Sequence, residues 1–325
     1  MSSSVIYLQS GFWKQLRADD SIDGIRSLMN VYNAILESEL RTDISDDDFD
    51  SDSYLTLLWK RHIAGKSHVE LYDDIIIDNP EDNAEELSAV YLTDADNAKC
   101  DDLGKQFGVV AMNSSDVFNK EFLFRGNSFL LQKNSVRYDD RYMQFQDKLH
   151  YPCNSMILID PYLLSKKGNI ESNLYSLLDA MLPTKKLQIG CHISIFSMIG
   201  DKNMDAANGE TVYNSIKNII TAMRKGLNFD LTLYAISHSE EFHSRMLLTN
   251  NVIVKADDGF EVFKEDGTSS KNATFGIVVP RLVGDNQQNM AYYLRWITIS
   301  KKRSQKQSAT QFWGSRKNRL FDLVQ

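Results

Sequence analysis

The feature that most constrains the fold of this chain is an alternation of apolar runs and amphipathic segments between residues 156 and 236. Residues 156–160, 187–196 and 229–236 are short apolar runs, which are typical of buried strands. Between them, apolar residues recur at helical spacing over 170–181 and 212–223, which predicts two helices. A strand–helix–strand–helix–strand order implies right-handed crossovers and parallel neighbouring strands. The sequence therefore predicts an α/β fold with a mainly parallel mixed sheet and flanking helices.

The distribution of charge divides the chain into two regions. Residues 1–120 contain 24 of the 44 acidic and 10 of the 36 basic residues, a balance of −14. Residues 121–325 hold the remaining 20 acidic and 26 basic residues, a balance of +6. Such an asymmetry indicates different partners for the two regions, or two regions that attract each other. We expect an acidic α/β region over residues 1–120 and a second domain over residues 121–325.

The acidic region offers few candidates for chemistry. Apolar residues between Ile22 and Leu36 recur at helical spacing, and residues 103–112 predict the end of a helix, a turn at Gly108 and a strand. The acidic run at 43–52 is interpreted as a solvated loop. It lacks the Asp-x-Asp-x-Asp-Gly order of a calcium loop, so calcium binding is not expected there.

Several classes of protein are not expected from the sequence. No apolar run is long enough to predict a membrane span, and the first residues do not form a secretory signal. The three cysteines, Cys100, Cys153 and Cys191, are odd in number and far apart, which favours reduced thiols and a cytoplasmic location. Nucleotide-binding glycine loops and zinc-binding patterns are absent. We therefore expect no cofactor and no metal.

The strongest candidate site lies in residues 242–250, Phe-His-Ser-Arg-Met-Leu-Leu-Thr-Asn. The apolar run predicts a strand over 245–254. Alternate side chains of a strand share one face, so His243 and Arg245 are expected to point the same way and Asn250 to emerge at the far end. A guanidinium offers a planar fork of donors to phosphate oxygens, and an imidazole can attack phosphorus or deliver a proton.

This spacing resembles the motif of the phospholipase D superfamily, which is His-x-Lys, four residues, then Asp. Here the motif is His243-x-Arg245, four residues, then Asn250. The flanking segments are similar too, namely Asp160-Pro161-Tyr162, Asp258-Gly259-Phe260 and the basic ending Lys317-Asn318-Arg319-Leu320. The resemblance covers about residues 150–325. It points to the phospholipase D-like proteins of bacteria, many of them encoded near antiphage defence genes.

The resemblance implies a metal-independent phosphodiesterase. His243 would attack phosphorus to form a phosphohistidine, Arg245 would replace the lysine that holds the phosphate, and Asn250 would replace the orienting aspartate. Arginine keeps the charge of lysine but changes the geometry, and asparagine removes a carboxylate. A second histidine must protonate the leaving oxygen, but no second His-x-Lys or His-x-Arg occurs in the sequence. A complete site would therefore require a homodimer that brings two copies of His243 together.

Other interpretations of this motif remain open. One alternative to the nucleophile role is that His243 is a half-buried histidine paired with Glu240 or Glu241. The motif would also serve phosphate binding without turnover. The sequence thus predicts either a phosphodiesterase or nuclease of prokaryotic antiphage defence, or a catalytically inactive phospholipase D-like subunit or sensor in a multi-protein assembly. The expected partners are nucleic acid and a second copy of the chain or another protein.

The C-terminal segment from residue 300 to 319 is the second candidate. It carries aromatic residues, Phe312 and Trp313, among basic residues and contains no acidic residue. The basic residues are Lys301, Lys302, Arg303, Lys306, Arg316, Lys317 and Arg319. Basic residues interleaved with aromatic ones suit a nucleic acid, with charge for phosphates and rings for bases. An ordinary exposed helix and loop, or weak contact with an anionic membrane surface, are the alternatives.

Overall fold

The chain forms two β-sheets with helices packed against them, as seen in a computed structural model. The structure describes residues 5–36, 38–57, 60, 69–71, 86–120, 124, 127–134, 151–165, 170–198, 206–236, 245–278, 293–295, 297–298 and 312–324. One cluster of buried apolar side chains is shared by the two sheets. It includes Ile6 and Leu8 from the first sheet and Leu158 and Ile193 from the second. The predicted α/β class is confirmed.

The first sheet consists of five short strands in the order β3-β2-β1-β4-β5, and all pairings among them are parallel. The strands are β1 Val5–Leu8, β2 Glu39–Thr42, β3 Val69–Leu71, β4 Val90–Leu92 and β5 Val110–Met112. Among the described residues, the helices of this region include α1 Ser10–Arg17, α2 Ile22–Leu36, α3 Asp46–Ser51 and α4 Asn97–Phe107. Helix α2 confirms the predicted helix, but Ile22, Ile25 and Met29 of the predicted apolar face are exposed, and residues such as Leu28 and Val31 are buried instead.

The acidic run at 43–52 is partly helical, so its interpretation as a loop was incomplete. Ser45 caps α3 because its hydroxyl accepts from the Asp48 amide at 3.3 Å, while the Asp48 carboxylate accepts from the Ser45 amide at 3.2 Å. This reciprocal pair is a capping box, and carboxylates at the start of a helix also interact favourably with its dipole. The acidic residues therefore start a helix here.

The turn between α4 and β5 fixes the close approach of the two sheets. Gly108 ends α4 with a φ of +64°, a conformation that favours glycine. A Cβ at this position would lie 2.7 Å from the carbonyl carbon of Cys153, which comes two residues before a strand of the second sheet that starts at Ser155. Glycine is thus required both by the backbone conformation and by the packing. The predicted helix, turn and strand over residues 103–112 are confirmed.

The second sheet has eight strands in the order β13-β9-β8-β7-β10-β11-β12-β6. They are β6 Asn127–Leu131, β7 Ser155–Ile159, β8 Cys191–Ser197, β9 Phe229–Ala235, β10 Met246–Thr249, β11 Ile253–Ala256, β12 Ala273–Val278 and β13 Phe312–Gly314. Strands β7, β8 and β9 are parallel to one another, as predicted from the alternating pattern. The other five pairings between these described strands are antiparallel, so a mainly parallel sheet was wrong for the sheet as a whole. Short connections such as the one from β10 to β11 force antiparallel neighbours.

The two crossovers between β7, β8 and β9 contain the predicted helices. A π-helical turn at Ile170–Leu174 leads into α5, Tyr175–Met181, and α6 spans Ala206–Met223. Their apolar faces pack into the shared core through residues such as Leu177 and Ile216. These crossovers place the carboxyl ends of the three parallel strands at one edge of the sheet.

The segment predicted as one strand over residues 245–254 is a β-hairpin. Leu247 pairs with Val254 and Leu248 pairs with Ile253, so β10 and β11 run in opposite directions. Thr249 stabilises the turn, since its hydroxyl accepts from the amides of Asn251 at 3.1 Å and Val252 at 3.0 Å. The single-strand prediction was wrong because it joined two apolar runs, 246–248 and 252–254, that the two asparagines of the turn separate. Adjacent asparagines between apolar runs are a turn signal.

The C-terminal segment closes the second sheet at its β9 edge. β13 pairs antiparallel with β9, and Trp313 lies directly over Gly209 of α6, where a Cβ would come within 2.0 Å of the indole ring. A 3₁₀ turn at Arg319–Val324 follows and buries Leu320 against Ile157 on the other face of the sheet. None of the described helices is long and apolar enough to cross a membrane.

Candidate functional site

The candidate site lies where β7 ends and β10 begins, at the carboxyl edge of the parallel strands. Ile159 of β7 pairs with Met246 of β10, which sets Asp160 and Arg245 side by side just beyond the paired residues. In open α/β sheets the carboxyl edge of parallel strands is where ligands bind. We call the group formed by Asp160, Tyr162, Arg245, Gly259 and Lys271 the Arg245 edge.

Asp160 anchors two turns at this edge. Its side chain is 1% exposed; Oδ1 accepts from the Tyr162 amide at 2.9 Å, and Oδ2 accepts from the Phe260 amide at 2.7 Å. Burial raises the pKa of Asp160, while the two amides and the charges of Arg245 and Lys271 act in the opposite direction. Both carboxylate oxygens are engaged by the main chain, so Asp160 holds the edge together and does not face the solvent.

Arg245 is the partly exposed cation of the edge. Its Nη1 donates to the Asp257 carbonyl at 3.1 Å, and its Cζ lies 5.5 Å from the centre of the Tyr162 ring. Gly259 packs against the stem of this side chain. It has a φ of +85°, and a Cβ there would lie 2.8 Å from Arg245 Cδ and 2.9 Å from Asp160 Oδ2. The guanidinium is therefore held by a carbonyl, a ring and a glycine, while part of it stays accessible.

Lys271 supplies a second cation at the same turn. Its Nζ donates to the Asp258 carbonyl at 2.6 Å, one residue after the carbonyl that Arg245 engages. The side chains of Asp257 and Asp258 are exposed. The edge thus combines two cations with two exposed carboxylates. Lys271 is not identifiable from the sequence because it comes near Arg245 only through the pairing of β11 with β12.

Asn250 lies at the other end of β10 from Arg245. It is 4% exposed; its Nδ2 donates to the carbonyls of Gly108 at 2.9 Å and Leu87 at 3.2 Å, and its Oδ1 accepts from the Asn154 amide at 3.0 Å. The length of the strand puts it about 15 Å from Arg245. The structure does not bring Asn250 and Arg245 together in one site. Its amide instead binds the second sheet to the first region.

Asn154 reinforces that junction. Its Nδ2 donates to the carbonyls of Leu87 and Phe107, each at 2.9 Å, and the residue is fully buried. Two asparagine amides therefore satisfy three main-chain carbonyls of the first region. Buried carbonyls need such partners, so these side chains are important for the packing of the two sheets.

Several predicted site residues lie outside the described part of the chain. His243 falls within residues 237–244, and Lys301, Lys302, Arg303 and Lys306 fall within residues 299–311. Their assignment as nucleophile and as nucleic-acid contacts stays a prediction.

The described basic residues of the C-terminal segment have different roles. Arg316 and Lys317 are exposed, and the Arg316 guanidinium stacks on Phe312, with Cζ 3.3 Å from the ring centre. Arg319 is different, because its guanidinium donates to the carbonyls of Asn154 at 3.2 Å and Gly190 at 3.1 Å, and also to that of Ile189. Burial lowers its pKa. Arg319 is thus hydrogen-bonded to main-chain carbonyls at the amino end of β8. This end lies at the edge of the sheet opposite to Arg245.

His192 lies beside Arg319, and its ring is neutral near pH 7. Its Nδ1 accepts from the Arg319 amide at 3.1 Å, and burial is the main cause that lowers its pKa to about 4. Its Nε2 is 3.7 Å from Asp230, but a neutral ring forms no ion pair there. In the described part of the chain, no three histidine, cysteine or acidic side chains come together in a way that could hold a metal ion.

The fold and the site define a two-sheet α/β protein in which Arg245 and Lys271 lie at the carboxyl edge of the parallel strands. No protein-family model matches the chain, and no curated protein matches it. Among solved structures, it is similar to a phosphatidylserine synthase from Haemophilus influenzae Rd KW20 at 10% identity and a TM-score of 0.30. The match covers 96% of this chain and 82% of that one.

Proposed function

We propose that this chain binds the phosphodiester backbone of nucleic acid at the Arg245 edge, in a phospholipase D-like arrangement. The observation that carries the proposal is the Arg245 guanidinium, which is partly exposed at the carboxyl edge of three parallel strands. Among the described residues it makes a single hydrogen bond, from Nη1 to Asp257. No other described residue accepts a hydrogen bond from its planar donor fork, which has the geometry to bind phosphate oxygens.

The second part of the proposal is metal-independent cleavage. His243, two residues before Arg245, attacks phosphorus and displaces one ester oxygen, and His243 of a second copy protonates that oxygen as it leaves. Water then attacks the phosphohistidine and releases the phosphate, with the second imidazole as base. This chemistry follows the resemblance to phospholipase D and requires a homodimer. The proposed setting is prokaryotic antiphage defence in the cytoplasm.

The alternative function is a catalytically inactive phospholipase D-like subunit or sensor in a multi-protein assembly. One observation favours it. The Asn250 amide is engaged by three main-chain groups, so it is not available to orient a catalytic imidazole. In this alternative the Arg245 edge binds phosphates without breaking a bond.

Binding of a fluorescein-labelled single-stranded oligonucleotide, followed by fluorescence anisotropy, tests the first part. Arg245→Gln should weaken binding about tenfold or more, since a hydrogen bond to a charged group contributes roughly 1.5–3 kcal/mol. Arg26→Gln is the matched control, because Arg26 is exposed on α2 in the other region. Equal affinities of the wild type and Arg245→Gln would refute the proposal.

Cleavage of the same oligonucleotide in EDTA separates the enzyme from the binding protein. If the enzyme function holds, the wild type cleaves, His243→Ala binds but does not cleave, and activity rises with the dimer fraction measured by sedimentation. Binding without cleavage by dimeric wild-type protein would reject the enzyme and leave the inactive subunit or sensor.

A further inference from the structure

Tyr162 presents an aromatic ring to the solvent from a rigid turn. The residue is 37% exposed, one of the largest exposed apolar side chains in the described part of the chain. Its main-chain amide donates to Asp160 Oδ1 at 2.9 Å, and its carbonyl accepts from the Ser165 hydroxyl at 2.7 Å and the Ser165 amide at 3.1 Å. With both main-chain groups bonded, the backbone under the ring is fixed, and little order has to be gained on binding.

The ring stands beside the phosphate-binding cation. Arg245 Cζ lies 5.5 Å from the ring centre, so one ligand can touch the guanidinium and the ring at the same time. A nucleotide has both complementary groups, an anionic phosphate and a flat base. Stacking of bases on aromatic side chains next to a cationic groove is the general mode by which single strands are bound.

We propose that Tyr162 is the base-stacking residue of the Arg245 edge and that the ligand is single-stranded nucleic acid. In a duplex the bases already stack on each other, so they are not available to a ring on the protein surface. A lipid headgroup fits less well. It has no flat π-surface, and a quaternary ammonium group would be repelled by the guanidinium next to the ring. This inference rests on the proposed binding of phosphates by Arg245.

Two probes separate stacking from phosphate binding. The first is a single-stranded oligothymidylate, and the second is an abasic oligonucleotide of the same length, which has the same phosphates but no bases. The wild type should bind oligothymidylate about tenfold more tightly than the abasic strand, which corresponds to one stacked base. Tyr162→Ala should remove that preference, so that the two strands bind with equal affinity. Tyr162→Phe keeps a ring beside Arg245 and should keep the preference.

The outcomes distinguish this inference from the function on which it rests. Arg245→Gln should weaken the binding of both probes by the same factor. If the wild type binds both strands equally, or Tyr162→Ala keeps the preference, stacking is refuted while phosphate binding stands. If neither strand binds, both proposals fail. Vesicles of phosphatidylcholine and phosphatidylserine serve as the competitor, and binding to them that depends on Tyr162 would assign the edge to lipid and overturn the inference. Unchanged melting temperatures of the Tyr162 variants control for folding.

Discussion

The main-chain amide of Arg319 donates to Nδ1 of His192 at 3.1 Å, while the Arg319 guanidinium binds carbonyls at the amino end of β8. The ring must be neutral at Nδ1 to accept this bond. His192 is thus one of several residues that connect the C-terminal segment to the central parallel strands, and protonation of its Nδ1 would remove this hydrogen bond.

Acid should weaken this connection. Burial, the largest cause, lowers the pKa of His192 from 6.5 to about 4 in the folded chain. The unfolded chain therefore binds the proton more readily, so the stabilisation is complete above pH 6.5 and is lost as the pH falls towards 4. We expect a loss on the order of 1 kcal/mol, since the ring is partly exposed and screened.

Urea unfolding of the wild type and of His192→Asn across this range measures the effect. The asparagine Oδ1 keeps an acceptor near the position of Nδ1 but does not titrate. The difference in unfolding free energy between the two proteins should change with pH between 6.5 and 4. A constant difference would show that His192 does not titrate in this range.

Gly259 should be more sensitive to substitution than its conformation alone explains. Gly259→Ala places a Cβ against Arg245 Cδ and Asp160 Oδ2 in addition to the strain at φ +85°. Gly226→Ala is the matched control, because Gly226 has a φ of +86° and a Cβ there would meet nothing within 4 Å. We expect Gly226→Ala to cost about 1 kcal/mol in unfolding free energy and Gly259→Ala about 1–2 kcal/mol more. Equal losses in urea unfolding would contradict the close packing at the Arg245 edge.

Restoring the aspartate of the phospholipase D motif should harm the protein. In Asn250→Asp, a carboxylate oxygen would replace the amide that donates to the Leu87 and Gly108 carbonyls, leaving acceptors face to face in a buried site. We expect a loss of at least about 2–3 kcal/mol in unfolding free energy. Asn134→Asp, at an exposed position, should change little. An Asn250→Asp protein as stable as the wild type would argue against the structural role of this amide.

The exposed carboxylates of Asp257 and Asp258, next to the Arg245 edge, should oppose phosphate binding. Asp257→Asn and Asp258→Asn each remove one negative charge and leave the carbonyls that hold Arg245 and Lys271. The affinity for a single-stranded oligonucleotide should rise a few-fold for each change at low salt, and the gain should shrink at high salt. Asp23→Asn, at an exposed position of α2, is the control. Anisotropy titrations that show no gain would place the phosphate elsewhere.

The parts of the fold that follow from local sequence pattern were predictable. The order β7, α5, β8, α6, β9 follows from apolar spacing, since each element buries one of its own faces. The hairpin at Asn250 and Asn251 was missed because the short apolar runs on either side of the two asparagines were interpreted as one strand. Pairing between distant strands is not encoded in local periodicity, so the antiparallel half of the sheet could not be predicted.

For the candidate site, the sequence predicts which residues could bind a phosphate, but not whether each of them is exposed or bonded to the main chain. Arg245 and Tyr162 were both marked by the motif and its flanking segment, and they lie together. Arg316 and Arg319 are both arginines of the same basic segment, so the sequence does not distinguish them. In the structure Arg319 donates to main-chain carbonyls, whereas Arg316 is exposed. Only the packing of the chain separates a cation that can meet a ligand from one that serves the main chain.

The asparagine amides at Asn154 and Asn250 have a consequence for how this protein denatures. Both amides donate to main-chain carbonyls of the acidic region. If one sheet opened alone, these amides and carbonyls would lose their hydrogen-bond partners. Calorimetry should therefore record one melting peak for the whole molecule, and a fragment that stops before β6 should not keep the thermal resistance of the intact chain.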